Sequence, residues 1–244
     1  MRLDDVESEV EILKYLQAHS HPYFLEFLDF YESSTQFYII TEYLDGYIDL
    51  TCPTTTNTFT DSNKNQIISN MLLGLKKLHS LGVVHRDVKI ENILIEPKTL
   101  NIKYIDFGLS RYGNSCVGFR RIGSQLFMAP ELFYNFATPY QFSDYEKADV
   151  WALGLTIVEL LTNVSYYDLF LSSIILPELK IKNTNLHDLV QHKKDYNTFT
   201  VIEIMNELLS SKDPFPLGVF NSIPKTQIPL LTRMLHKNPV FRSF

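Results

Sequence analysis

Glycine is scarce in this chain, and the first one comes late. The 244 residues contain nine glycines, and none precedes Gly46. The nine glycines nowhere form a G-x-G-x-x-G pattern, so the sequence excludes the kind of glycine-rich turn that folds over the phosphates of a nucleotide. Any phosphate chemistry in this chain must therefore depend on other residues.

Cysteines, long apolar runs and basic clusters are also rare. Cys52 and Cys116 are far apart in polar segments, which argues against a disulfide framework and favours a reducing compartment such as the cytoplasm or the nucleus. No stretch approaches the roughly 18 apolar residues of a membrane span. The formal charge of −6 and the lack of basic runs longer than a pair argue against nucleic-acid and acidic-lipid partners.

The composition that remains is that of a globular protein. Hydrophobic residues make up 45% of the chain and charged residues 20%, close to the averages for soluble domains. We therefore expect a packed core. The length suits one domain with two lobes better than two independent domains, so we predict a single domain over residues 1–244.

Apolar spacing and turn residues predict the order of the elements. Residues 6–18 show helical spacing, and two aromatic runs around residues 33–35 indicate a β-hairpin. A segment rich in Thr and Asn then reads as a loop. The full prediction is a helix over 6–18, strands over 24–32 and 36–44, a loop over 51–63, a helix over 63–81 ended by Gly82, strands over 93–95 and 103–105, a helix over 149–162, a polar surface insertion over 165–200, and helices near 200–210 and 226–236.

The stretch VVHRDVKIENILI, residues 83–95, places polar side chains between two apolar runs. Asp87, Lys89 and Asn92 follow one another at spacings of two and three. The triplets DFG at 106–108 and APE at 129–131 come later in the chain.

These three motifs, in this order, resemble the catalytic loop, the metal-binding turn and the end of the activation segment of eukaryotic protein kinases. The resemblance extends from Glu9 to Arg242 and implies an α+β, two-lobe fold. The larger lobe, residues 44–244, would be mostly helical. The smaller lobe, residues 1–43, would be truncated to one helix plus a hairpin.

The resemblance implies a role for each polar residue of the loop. Asp87 would orient or accept the proton of the incoming hydroxyl, and Lys89 would contact the transferring phosphate. Asn92 and Asp106 would bind Mg²⁺, a hard cation that prefers oxygen ligands. A simpler reading of Asp87 and Asn92 is that they only satisfy the backbone of a turn.

The resemblance also implies where ATP would lie. Thr41 takes the gatekeeper position, and residues 42–44, from Glu42 to Leu44, match the hinge whose backbone binds adenine. Leu94 would form the floor beneath the adenine ring, and Asp49 would meet the ribose.

Lys89, two residues after Asp87, resembles the serine/threonine branch of the family, and Gly123 and Ser124 agree with that branch. The implied substrate is a Ser or Thr hydroxyl on a protein. Arg86 resembles the arginine of kinases that are switched on by phosphorylation of the activation segment. The candidate phosphorylation sites are Ser110, Ser115 and Ser124, of which Ser115 is favoured; an ordinary loop serine is the alternative.

Several matches are architectural. Glu131 and Arg242 resemble a buried ion pair of the family. Asp149 resembles the residue that braces the catalytic loop. His85 and Phe107 resemble members of the core, which favours packing over proton transfer for His85.

One expected pair is incomplete. Glu9 matches the helix glutamate that pairs with a strand lysine in the family, but the only lysine before the hinge is Lys14, in the same predicted helix. We therefore expect impaired activity and a small lobe without its first three strands. A gene fragment, a wrong start site and a decayed paralogue all fit this pattern. The alternative function is a pseudokinase that serves as an interaction module.

Overall fold

The chain begins with a helix and a β-hairpin and continues into helices packed around small sheets. The computed structural model describes residues 3–51, 58–113, 122–134, 139–165 and 223–244. The predicted α+β class is confirmed. The described elements are α1 Leu3–Ala18, β1 Phe27–Glu32, β2 Phe37–Thr41, β3 Ile48–Asp49, α2 Asp61–Ser80, β4 Val83–Val84, β5 Ile93–Ile95, β6 Ile102–Tyr104, β7 Arg111–Tyr112, α3 Pro130–Tyr134, α4 Phe142–Thr162 and α5 Ile228–Met234.

A helix and a hairpin form at the start of the chain as predicted, but α1 begins at Leu3 rather than at residue 6, and both strands are shorter than predicted. The apolar residues at helical spacing in α1 are all buried: Val6, Val10, Ile12, Leu13 and Leu16. Strands β1 and β2 pair antiparallel, and the Ser33 hydroxyl closes their turn by accepting the Gln36 N–H at 2.9 Å. One face of this two-stranded sheet carries Tyr31, Tyr38 and Ile40, which are 61%, 46% and 45% exposed. Packing against α1 therefore supports a hairpin that would be marginal alone.

Helix α2 begins two residues earlier than predicted. The Thr60 side chain accepts the Asn63 N–H at 3.2 Å, and the Asn63 side chain accepts the Thr60 N–H at 3.0 Å. This reciprocal cap satisfies N–H groups at the helix start that would otherwise lack partners. At the other end Gly82 adopts φ +71°, as expected for the left-handed residue that ends a helix.

Two small sheets follow α2. Strands β3, β5 and β6 form a three-stranded antiparallel sheet, and β4 pairs with β7. Asp49, Leu94 and Lys103 are direct neighbours across the three strands, so their side chains share one face. Strands β3, β4 and β7 have only two residues each, too few to show the alternation that reveals a strand.

Helix α4 is the centre of the larger part of the fold. It is buried almost all round, as predicted, but it begins at Phe142 rather than near Asp149. The earlier start follows from a second reciprocal cap, in which Gln141 and Asp144 each bond the other's backbone. Helix α5 lies within the predicted 226–236. The predictions for 165–200, for 200–210 and for both cysteines fall outside the described residues.

A buried ion pair joins the end of the chain to α3. The guanidinium of Arg242 is fully buried and contacts both oxygens of Glu131, at 2.5 and 2.9 Å. It also donates to the Lys147 carbonyl at 2.9 Å and lies over the Trp151 ring. The predicted pairing of Glu131 with Arg242 is confirmed. No helix within the described ranges is long and apolar enough to cross a membrane.

We predict that Arg242→Met lowers the free energy of unfolding by about 3–5 kcal/mol, because it leaves the carboxylate of Glu131 without its partner. Urea denaturation measures the change. Arg233→Met is the matched control, since Arg233 is an exposed cation in the same region, and it should change stability by less than about 0.5 kcal/mol. Equal stability of the two variants would contradict the prediction.

Candidate active site

One buried carboxylate on α4 holds the loop that follows β4. Asp149, on α4, is 1% exposed. Its Oδ2 accepts the His85 N–H at 2.8 Å and lies 3.0 Å from Nε2 of His79, and its Oδ1 accepts the Arg86 N–H at 2.8 Å. These contacts match the bracing position predicted for Asp149. They fix the backbone of the loop directly before Asp87.

Arg86 has a strained backbone and a fully engaged side chain. Its φ of +66° is unusual for a residue with a Cβ, and such strain persists only where surrounding contacts hold it. Its Nε donates to the Leu109 carbonyl at 2.6 Å, and its guanidinium lies 5.1 Å from the centre of the Tyr145 ring. Arg86 thus faces the start of the segment that follows residue 108.

One candidate phosphorylation site must be corrected. Ser110 is fully buried, and its hydroxyl donates to the His85 carbonyl at 3.2 Å. It is therefore not available to another enzyme. The favoured site, Ser115, lies outside the described residues.

Asp87 is the centre of a polar cluster. Its Oδ2 lies 2.9 Å from the ammonium of Lys89 and accepts from the Asn92 side-chain amide at 3.2 Å. Its Oδ1 accepts the backbone N–H of Ser124 at 2.8 Å. Lys89 also donates to the Ser124 hydroxyl at 3.1 Å. Residues predicted from two separate motifs are thus brought into direct contact.

The contacts change the pKa of Asp87. Burial by itself would raise the pKa of this carboxyl, but hydrogen bonds from Lys89 and Ser124 and the charge of Lys89 outweigh it and lower the pKa below 3.8. The pKa of Lys89 is raised for the same reason: burial opposes its charge, and contact with Asp87 more than compensates. Asp87 is therefore a carboxylate, and Lys89 an ammonium, at neutral pH.

Gly123 permits the contact between Ser124 and Asp87. Its φ is +105°, and a Cβ at this position would collide with the carbonyl oxygen of Arg86. Only glycine fits this close backbone approach. The sequence indicated Gly123 and Ser124 as a signature of a family branch, and gave no sign that the Ser124 N–H would bond Asp87.

Asn92 and Asp106 lie on neighbouring segments. The Ile105 N–H donates to the Asn92 carbonyl at 3.0 Å, which connects Asn92 to the residue before Asp106. The Asn92 amide nitrogen donates to the Asp87 carbonyl at 2.9 Å, and its Oδ1 accepts no hydrogen bond from the described residues. Asp106 has φ +61° and an exposed carboxylate. Both side chains thus offer a free oxygen, which fits a Mg²⁺ ion that completes its shell with phosphate oxygens and water.

Phe107 packs inward, away from the exposed Asp106. It is fully buried, 5.2 Å from the His85 ring and 6.3 Å from the Phe24 ring. His85 is also fully buried, and burial lowers its pKa. The neutral imidazole pairs its Nε2 with the Ile105 carbonyl at 3.1 Å. This environment agrees with the predicted packing role of His85 rather than with proton transfer.

The hinge, residues 42–44, leads from β2 to the three-stranded sheet. The described residues offer no hydrogen-bond acceptor to the Leu44 N–H, and the Glu42 carbonyl receives only a 3.4 Å contact from the Thr41 hydroxyl. Asp49 is exposed and uses Oδ1 to accept the Thr51 N–H at 2.9 Å. Leu94 is half-buried beside it in β5. The hinge backbone thus has a donor and an acceptor available for a ligand.

Comparison with known families shows which family the chain belongs to. Residues 1–243 match the family model described as the protein kinase domain. The chain belongs to the protein kinase family. Its α+β architecture is accordingly that of a protein kinase domain, and ATP and Mg²⁺ are the cofactors this family generally uses.

Curated relatives support the same assignment. The chain is 32% identical over 160 residues, 65% of its length, to serine/threonine-protein kinase MST20 of Pyricularia oryzae. It is 36% identical over 149 residues, 60% of its length, to serine/threonine-protein kinase CST20 of Candida albicans. It is 31% identical over 153 residues, 62% of its length, to a probable myosin light chain kinase of Dictyostelium discoideum. The alignments cover 16%, 11% and 47% of those proteins, so the chain spans less than half of each.

Glu9, which matches the helix glutamate of the family, has no Lys or Arg partner among the described residues. Glu9 is half-buried beside Gly108, and burial together with the charge of Asp106 raises its pKa. No Lys or Arg of the described ranges pairs with it. Lys14 instead lies over the Phe27 ring, 5.7 Å from its centre. The inference that Lys14 cannot replace the strand lysine is consistent with this geometry.

We predict that Lys89→Met raises the pKa of Asp87, because burial is then opposed by the hydrogen bonds from Ser124 and Asn92 without the charge of Lys89. Carboxyl-carbon NMR titration measures it, with the exposed Lys225→Met as the control. In the wild type the folded pKa lies below the ordinary 3.8. The stability due to this shift is therefore present above pH 3.8 and lost as the pH falls through the lowered pKa. An unchanged pKa in Lys89→Met would show that the Lys89–Asp87 contact is absent in solution.

Proposed function

We propose that this chain transfers the γ-phosphoryl group of ATP to Ser or Thr hydroxyls of proteins. The observation that carries the proposal is the cluster of Asp87, Lys89 and Ser124, with Asn92 and Asp106 on the adjoining segments. The names of the relatives MST20 and CST20 agree with Ser and Thr as acceptors.

In the proposed mechanism Asp87 orients the attacking hydroxyl. A bond forms between the hydroxyl oxygen and the γ-phosphorus, the bond from that phosphorus to the β,γ-bridging oxygen breaks, and ADP leaves. The hydroxyl proton moves to a carboxylate oxygen of Asp87 and then to solvent. Because the pKa of Asp87 is lowered, this carboxylate is a weak base. It accepts the proton late, when bonding to phosphorus has made the hydroxyl acidic.

The remaining polar residues would hold the phosphates and the nucleotide. Lys89 would donate to the transferring phosphoryl group, and Asn92 Oδ1 and the Asp106 carboxylate would hold Mg²⁺, which neutralises phosphate charge when bound. The free Leu44 N–H and the Glu42 carbonyl would bind the adenine edge. Leu94 would support the ring, and Asp49 would bind the ribose through its second oxygen.

The proposal includes the organisation and setting of the chain. Residues 1–43 would form the smaller lobe and residues 44–244 the larger lobe of one domain, with the nucleotide between them. A reducing compartment, the cytoplasm or the nucleus, suits the two cysteines. The acidic net charge disfavours nucleic acid and acidic membrane surfaces as partners.

A second candidate function is that of a non-catalytic interaction module. The lack of a Lys or Arg partner for Glu9 among the described residues favours it, because the lysine that pairs with this glutamate in the family also grips the α and β phosphates of ATP. Loss of one charge-assisted phosphate contact costs about 1.5–3 kcal/mol of binding. The proposed kinase activity of this polypeptide is therefore weak.

We predict that Asp87→Asn reduces phosphoryl transfer to a Ser/Thr peptide by about 10²-fold or more, since it removes the proton acceptor while keeping the side-chain shape. Transfer of labelled phosphate from ATP measures it. Asp61→Asn, an exposed position at the start of α2, is the matched control. Unchanged turnover in Asp87→Asn would assign the activity to a contaminant. No transfer by the wild type would favour the interaction module.

We predict that Mg²⁺·ATP raises the melting temperature of the purified chain only slightly, because ligand stabilisation depends on affinity. Differential scanning fluorimetry with a chelator as control measures the shift. A rise of many degrees at modest ATP would contradict the weak binding of ATP that we propose from the absence of a cation beside Glu9 in the described part of the chain.

A further inference from the structure

An ion pair connects the hinge to the sheet next to it. The ammonium of Lys103, in β6, lies 2.5 Å from Oε1 of Glu42 and 3.1 Å from the carbonyl oxygen of Phe24. The Lys103 and Glu42 side chains are only 13% and 23% exposed. Water and salt therefore screen this attraction less than that of a fully exposed pair.

Glu42 is also fixed by its neighbour across the hairpin. Its Oε1 accepts the Glu26 N–H at 2.8 Å, and its own N–H donates to the Glu26 carbonyl at 3.0 Å. Oε1 of Glu42 is thus committed within the protein, while the backbone carbonyl of Glu42 stays available to a ligand. Leu44, whose N–H has no acceptor among the described residues, follows two residues later.

Lys103 belongs to the row of sheet residues assigned to the nucleotide. Asp49, Leu94 and Lys103 are direct neighbours across β3, β5 and β6 and share one face. Strand β6 ends at Tyr104, two residues before Asp106. A single lysine therefore connects the hinge to the strand that leads into the proposed metal site.

We propose that Lys103 and Glu42 form a positioning pair that sets the hinge over the floor at Leu94, and so determines how tightly the adenine of ATP is held. This inference rests on the proposed function. Neither side chain contacts the phosphates in the proposed complex. Loss of the pair displaces the Leu44 N–H and the Glu42 carbonyl relative to Leu94, while Asn92, Asp106 and Lys89 keep their places.

The inference predicts a selective loss of affinity for the base. Isothermal titration of the full chain with Mg²⁺·ATP and with Mg²⁺·tripolyphosphate separates base binding from phosphate binding. Lys103→Met should weaken ATP binding by about five- to tenfold, the effect of misplacing one backbone hydrogen bond, and tripolyphosphate binding by less than about twofold. Glu42→Gln should act in the same direction. The double variant Lys103→Glu with Glu42→Lys should recover part of the loss.

Lys98→Met is the matched control, because Lys98 is an exposed lysine on the turn between β5 and β6, and it should leave both affinities unchanged. Circular dichroism checks that each variant folds. Equal weakening of both ligands, or unchanged ATP affinity in Lys103→Met, overturns the inference while leaving the proposed function in place. Failure of the wild type to bind either ligand overturns the proposed function and this inference with it.

Discussion

The candidate site depends on the carboxylate of Asp149. Its two oxygens accept the backbone N–H groups of His85 and Arg86, and Oδ2 also contacts His79. A buried carboxylate is costly unless it receives several hydrogen bonds, and here the loop supplies them. In return, the carboxylate holds Arg86 at a positive φ that the residue would otherwise leave. Because α4 is buried almost all round, this anchor is rigid, and Asp87 is held close to it.

The candidate site has a connected hydrogen-bond network around Asp87, but no cation of the described residues lies beside Glu9. Asp87, Lys89 and Ser124 form a closed network, and Asn92 is tied to the backbone before Asp106. On the α1 side, Glu9 faces Asp106 with no cation of the described residues between them. In the proposed roles these residues would position the acceptor hydroxyl and the metal, whereas no Lys or Arg of the described residues would join Glu9 to the α and β phosphates. The proposed weak binding of nucleotide rests on this difference.

The sequence predicted features that depend on a local pattern, or on several polar residues close together in one short segment. The apolar spacing of α1 and α4, the glycine after α2 and the grouping of Asp87, Lys89 and Asn92 were all predictable. The two-residue strands were not, because alternation needs more residues than they contain. The starts of α2 and α4 depend on reciprocal caps by Asn63 and Asp144, which a periodicity argument ignores.

Contacts between residues far apart in the chain were the hardest to predict. The contact between Lys103 and Glu42 could not be predicted, because only the pairing of β6 with β5 and the path of the hinge bring the two residues together. The burial of Ser110 was also not predicted. A serine close to a glycine turn is expected to be exposed, and its contact with the carbonyl of His85 joins residues far apart in the chain. Such contacts depend on the register of strands and loops.

Paramagnetic NMR with Mn²⁺·ADP tests most directly whether Asn92 and Asp106 form one metal–nucleotide site on the loop held by Asp149. Bound Mn²⁺ broadens the signals of nearby nuclei. We expect strong broadening of the Asn92 side-chain amide and of the Phe107 backbone amide, with the signal of Val240 near the C-terminus unchanged. Sharp signals from both Asn92 and Phe107 at saturating Mn²⁺·ADP, or broadening only elsewhere, would contradict it.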